Sequence, residues 1–195
     1  VTGADISVKE TRMRARGFGR IAAIAVAVAA PLGVGLVAGP GAEAAAATTV
    51  YYTSSGAPDY VAQIDQGAAN WNAVVADVKL VKRSSGATVV FHEIHSGGSY
   101  TQTDGHGNGD VYLDTSQVEE GFDPTRIAAH ELGHNLGLPD DYDGPCSELM
   151  SGHGPGTSCT NAKPSAQEAA KVQQLWRNGF GGVKGVGTRV TAGVY

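Results

Sequence analysis

The sequence predicts an α+β domain, and three observations carry that prediction. Short β-branched and aromatic runs bounded by Ser and Gly turns mark strands. Three other stretches show apolar residues at helical spacing with recognisable caps. One of these helices carries His130-Glu-Leu-Gly-His134, two histidines that come close on one face only if the segment is helical, since on a strand the same spacing would set them about 13 Å apart. With 195 residues and 42% apolar content, the chain has material for one domain with a true core.

Taken in order, residues 49–53 (Thr-Val-Tyr-Tyr-Thr) read as a strand ending at the turn Ser54-Ser55-Gly56. Asp59 is placed to cap a helix running to about Val75, whose stripe Val61, Ile64, Ala68, Trp71 and Val75 belongs to the core. Residues 78–81 and 88–94 are strands separated by Ser84-Ser85-Gly86. The Gly, Ser, Thr, Asp and His content of residues 97–109 predicts a surface loop. His92, His95 and His106 share no ligand spacing and read as solvated or strand-edge histidines. Residues 110–114 alternate and are short, as an edge strand should be.

The helix bearing the histidines starts at Asp123 as N-cap with Pro124 in its first position, and Ile127, Ala128, Leu132 and Leu136 form its apolar side. A last helix opens on the capping box Ser165-Ala-Gln-Glu168, carries Ala169, Val172, Leu175 and Trp176, and stops at Asn178-Gly179. Residues 180–195 are rich in Gly and Val without helical period and are expected to be a loose tail. The domain proper is thus predicted over 45–179.

Residues 1–44 have a different character. Arg12, Arg14, Arg16 and Arg20 precede an apolar run over 21–37, and Ala42-Glu43-Ala44 follows, the order of a secretory signal peptide cleaved after Ala44. A membrane anchor is the alternative, but Pro31, Gly33 and Gly35 interrupt a run shorter than the roughly 20 residues a span needs. Met13 is an alternative start, which would make the residues before it an upstream extension. Five of the 14 basic and three of the 19 acidic residues fall in this leader, so its removal moves the net charge from -5 to -7. Such a surface repels phosphate backbones and argues against nucleic acid as a partner. The two cysteines, Cys146 and Cys159, both fall in the exported part and should pair there.

Histidines four apart on a helix lie about 400° around and 6 Å along its axis, so His130 and His134 face one metal ion. A catalytic zinc needs a third protein ligand and an open position. Asp140 supplies the carboxylate, provided that the helix ends first. Gly137 can take the left-handed conformation that ends a helix, and Pro139 forbids Leu138 a helical continuation. Glu131 is then the general base that takes a proton from the attacking water and hands it to the leaving amine, near neutral pH.

The run from His130 to Asp140, together with Ser147-Glu148-Leu149-Met150-Ser151-Gly152, resembles the metzincin metalloproteases and, through its aspartate third ligand, the snapalysin family. The resemblance extends over about residues 48–179. It implies a twisted, mostly parallel sheet with an antiparallel edge strand, the zinc helix beneath it, and Met150 in a turn under the metal. It also implies a secreted endopeptidase with one catalytic zinc, the disulfide Cys146–Cys159, and a structural calcium near Asp123 and Thr125. Some metzincins carry a tyrosine two residues after the methionine; here Gly152 stands there, and Tyr142 is the available phenol. The substrate is expected to add to the edge strand near residues 110–114, with an aromatic residue preferred just after the cleaved bond. The expected partners are protein or peptide substrates and a proteinaceous protease inhibitor, with neither nucleic acid nor membrane, for a monomer.

Two competing readings make different predictions. In another class of zinc hydrolase, Glu148 or Glu168 would be the third ligand in place of Asp140. In a secreted, non-enzymatic zinc-stabilised binding or inhibitor domain, a protein ligand would close the fourth position.

Overall fold

A computed structural model describes residues 46–177, 190–192 and Tyr195. The predicted leader, its start and its cleavage site lie outside these residues. Strand β1 (Thr48–Gly56) leads through one 3-10 turn into α1 (Val61–Asn72), followed by β2 (Val78–Lys82), β3 (Val89–Ile94), β4 (Tyr100–Thr103) and β5 (Gly109–Asp114). Helices α2 (Thr115–Glu119), α3 (Pro124–Asn135) and α4 (Ala166–Trp176) come next, and β6 (Val190–Ala192) is last. The sheet order is β2-β1-β3-β5-β4-β6. The first four strands are parallel, while β4 runs antiparallel to both β5 and β6.

Helix α1 packs on β1 and β2, and α3 packs on β4, β5 and α1. The helices approach closely at Gly67, where a Cβ would lie 3.0 Å from the Ala129 nitrogen. Trp71, fully buried, donates its Nε1 hydrogen to the Ala129 carbonyl at 2.8 Å. The stripe predicted to be core therefore spans the α1–α3 contact, with Ile64, Ala68, Trp71 and Val75 buried. Burying an aliphatic side chain such as Ile64 or Val75 contributes about 1.5–3 kcal/mol.

Several expectations are corrected. Strand β1 runs on through Ser54 and Ser55 to Gly56, so the predicted turn is a register irregularity in the β1–β3 pairing. Asp59 lies in the 3-10 turn and does not cap α1, whose N-cap Tyr60 makes no side-chain bond; the Asp59 amide donates to Glu93 instead. Residues 110–114 are an interior strand between β3 and β4, not an edge. The stretch 97–109, expected to be loop, contains β4. Its inward residues Thr101 and Thr103 are polar yet buried, because each hydroxyl has an internal acceptor. Leu175 is exposed on α4, whereas Ala169, Val172 and Trp176 are buried as predicted. The tail expectation is corrected at Val190–Ala192, which form β6, and at Tyr195, which is 3% exposed. Residues 178–189 lie outside the described residues.

Candidate metal centre

Helix α3 begins as the sequence predicts, with Asp123 accepting the Arg126 amide at 2.7 Å and Pro124 in the first turn. Its end is set by Gly137, at φ 98°. The Gly137 amide donates to the His134 carbonyl and the Leu138 amide to the Gly133 carbonyl, the paired bonds of a glycine-ended helix. A side chain at 137 would adopt this φ only under strain. The reversal returns Asp140 to the histidines. Its Oδ1 lies 3.1 Å from His130 Nε2 and 3.2 Å from His134 Nε2, and the two Nε2 atoms are 3.1 Å apart.

Those three atoms fit a metal ion. Bonds of about 2.0–2.2 Å at tetrahedral angles put ligand atoms about 3.3–3.5 Å apart, close to what is seen. Both Nδ1 atoms face carbonyls, His130 that of Leu149 at 3.1 Å and His134 that of Leu138 at 2.8 Å. With hydrogens on Nδ1, both Nε2 lone pairs point at one another and at a carboxylate, an arrangement that a cation stabilises. His130, His134 and Asp140 are the group with metal-ligand geometry among the described residues. Glu148 is not part of it. Glu168 is occupied elsewhere: its carboxylate accepts the Leu149, Met150 and Ser165 amides at 3.1, 2.7 and 2.6 Å. His92, His95 and His106 contact Asp110, Thr115 and Asp104 and are not part of the ligand group.

Glu131 is completely buried beside the ligands. Its Oε2 accepts the Thr101 hydroxyl at 2.7 Å, and its Oε1 is buried with no hydrogen-bond partner among the described residues. Burial pushes the Glu131 carboxyl above its ordinary range, although His130, His134 and the Thr101 hydroxyl pull the other way. Burial also acts upward on Asp140, but the two imidazoles hold it far below the usual carboxylate range. For His134, burial acts downward, and the Asp140 and Glu131 charges more than offset it. Tyr142 bonds to Asp140; burial, then that carboxylate, raises its phenol. A cleft beside the ligands is lined by Thr103, Asp104, Gly105, Leu138 and Pro139.

Against Gly133 packs Met150, in a 3-10 turn over Leu149–Ser151. Its sulfur would lie 2.5 Å from a Cβ at Gly133, so glycine between the two histidines is what lets the turn approach. Arg126 ties this turn to α3. Fully buried, it donates to the carbonyls of Gly152, Glu148 and Asn161 and to the Ser151 hydroxyl, at 2.5–3.2 Å. The disulfide Cys146–Cys159 closes a loop that contains this turn. A loop of about 15 residues gains about 3 kcal/mol from such a link. Asp123 and Thr125 line an open depression with Asn70, Thr160, Asn161 and Lys163.

Sequence reasoning did not single out Thr101, Arg126 or Gln117. The alternation of Tyr100-Thr101-Gln102-Thr103 was a signal for the first, overridden by the glycines around it. Arg126 and Gln117 carried no signal, since polar residues on a helix read as surface.

Comparison with known proteins agrees with the geometry. Residues 47–179 match the family described as Streptomyces extracellular neutral proteinase (M7). An "Extracellular small neutral protease" of Streptomyces lividans is 54% identical over 138 residues, 70% of this chain and 60% of that protein. The protein of the same name from Streptomyces caespitosus is 50% identical over 131 residues, 67% of this chain and 98% of its own length. That from Streptomyces coelicolor is 46% identical over 144 residues, 73% of this chain and 65% of the relative. The chain thus spans about three fifths of the lividans protein and nearly all of the caespitosus one.

Proposed function

This chain belongs to the Streptomyces extracellular neutral proteinase (M7) family, and from that premise we propose that it is a secreted zinc endopeptidase. The observation that carries the reading is Glu131, a buried carboxylate with one oxygen held by Thr101 and the other unpartnered, next to three converging ligand atoms. His130, His134 and Asp140 would hold one zinc ion, which when bound supplies Lewis acidity toward a peptide carbonyl and acidifies the attacking water.

Every other part of the reaction falls to the chain. Glu131 Oε1 takes the proton of the attacking water and passes it to the leaving amine nitrogen. Its raised proton affinity suits this role, while the Thr101 hydroxyl keeps Oε2 from rotating into the same task. Tyr142, bonded to Asp140, is proposed to donate a hydrogen bond to the oxyanion that forms at the attacked carbonyl. Met150 and Arg126 act through position alone, fixing the turn that carries the His130 acceptor Leu149.

The peptide would bind extended against β4 rather than at residues 110–114, because β5 lies between β3 and β4, whereas the outer side of β4 meets only the three-residue β6. The preference for an aromatic residue after the cleaved bond rests on the family resemblance. A structural calcium at Asp123 and Thr125 is supported by the carboxylate and hydroxyl facing one depression, and opposed by Lys163 in the same place; loss of thermal stability on calcium removal with zinc retained is its test. Export rests on the basic-apolar-small leader and on the extracellular names of the relatives. No described helix is long and apolar enough to cross a membrane. A monomer acting on proteins, answerable to a protein inhibitor, completes the proposal.

The deciding experiment measures bound metal and casein hydrolysis before and after chelation. Stoichiometric zinc and hydrolysis that is lost with it and returns on readdition are expected; hydrolysis that survives zinc removal overturns the reading.

A further inference from the structure

We propose that Val190–Ala192 and Tyr195 occupy the substrate groove as an intramolecular pseudosubstrate, holding the folded chain latent until they leave. This rests on the endopeptidase reading. Strand β4 has one side committed to β5, and its other side is the ladder an extended substrate would use. That side is taken by β6, with Thr101 opposite Ala192, Gln102 opposite Thr191 and Thr103 opposite Val190. Thr101 is the residue that holds Glu131, so the segment lies along the strand that orients the general base.

Tyr195 completes the mimicry. Its amide donates to the Ser99 carbonyl at 2.7 Å, and its carbonyl accepts from Gln117 Nε2. The Gln117 Oε1 accepts the Ser99 amide at 2.8 Å, so one side chain clamps both the start of β4 and the docked residue. The phenol ring is buried in an aromatic corner, 5.1 Å from the ring of the metal ligand His130, 5.8 Å from Phe122 and 6.2 Å from His153. The Arg126 guanidinium meets its hydroxyl. The segment therefore has the three attachments a bound peptide needs: a backbone ladder, a clamp on a carbonyl, and an enclosed side chain beside the metal ligands. It lies beyond the stretch matched by the family, residues 47–179, so the proteinase domain itself does not account for it. An aromatic corner that encloses this ring would enclose the aromatic side chain of a substrate in its place.

A tethered occupant competes at an effective concentration in the millimolar range, well above typical peptide concentrations. Such competition raises KM by the ratio of closed to open molecules and leaves kcat unchanged. A packing role alone would move stability instead.

The test uses the full chain with a cleavage site for an unrelated protease introduced between Arg177 and Val190, folded and zinc-loaded before it is cut. After cutting and removal of the released segment, KM for a fluorogenic peptide should fall about tenfold or more with kcat unchanged. The full-length Tyr195→Ala chain should show a partial fall. A labelled synthetic peptide of residues 188–195 should bind the cut Glu131→Gln protein, by fluorescence polarisation, and be displaced by substrate peptide. An unchanged KM after the cut, or a labelled peptide that does not bind, overturns the pseudosubstrate while leaving the protease intact. A cut, zinc-loaded protein that binds the labelled peptide yet hydrolyses nothing overturns the endopeptidase reading and keeps the docking.

Discussion

His130, Glu131, His134 and Asp140 come from one short stretch of chain, whereas the groove beside them is built from Ser99, Thr101, Gln117 and Phe122, drawn from separate parts of the chain, with Tyr195 docked in it. The first region is over-determined. Both histidines are held through Nδ1, the helix end by two backbone bonds, and the turn beneath by Arg126 and Glu168. The second region is held by one three-residue ladder, one clamp and one ring. Rigid ligands and a releasable edge are what a hydrolase needs, because the metal geometry must persist while the peptide must exchange.

That contrast is testable at both ends. The largest effect belongs to the chemistry: Glu131→Gln should cut kcat by about 10²- to 10⁴-fold with zinc content unchanged by metal analysis. Parent-level turnover in this variant would remove Glu131 as the base. Next, Arg126→Met leaves the carbonyls of Glu148, Gly152 and Asn161 without their donor, and should cost about 3–5 kcal/mol in denaturant unfolding. A midpoint equal to that of the parent would show that the turn beneath the metal does not depend on it.

At the junction of the two regions, Thr101→Val removes a hydrogen bond that favours ionised Glu131. The Glu131 pKa should rise further, so the base is protonated over more of the acidic range and the acid limb of the kcat profile moves to higher pH. An acid limb that stays in place, or moves down, would separate Thr101 from the base. The smallest effect lies at the edge. Burial pushes the Tyr195 phenol up to about 12, against the pull of Arg126. Because the docked value is above the free one, binding of the 188–195 peptide should be at full strength below pH about 10 and weaken above it. A Tyr195→Phe peptide should bind a few-fold less tightly and lose this alkaline dependence; an identical profile would show that the hydroxyl contributes nothing.

Much of the centre was legible because its spacing is dictated by helix geometry. Residues 130 and 134 must share a face, Gly137 must end the helix, and Asp140 is the first carboxylate able to return. The caps at Asp123 and Ser165 were legible for the same local reason. Strand β4 was not. Four residues among glycines carry too little apolar signal, and the burial of Thr101 depends on an acceptor 30 positions away. The prediction that residues 110–114 form an edge failed with it, since only the placement of β4 makes β5 interior. Arg126 carried no sequence signal, because the carbonyls that satisfy it come from residues 148–161.

By itself, then, the sequence determined the elements whose causes are local: the helices capped by Asp123 and Ser165, the glycine-ended turn that returns Asp140 to His130 and His134, and the paired cysteines. The tertiary structure alone decided which strand lies beside Glu131, what satisfies the donors of the buried Arg126, and where Val190–Ala192 and Tyr195 go. The physical reason is reach. Helical spacing and caps act within one or two turns, whereas strand order and buried hydrogen bonds are settled only when distant parts of the chain compete for the same edge and the same acceptors.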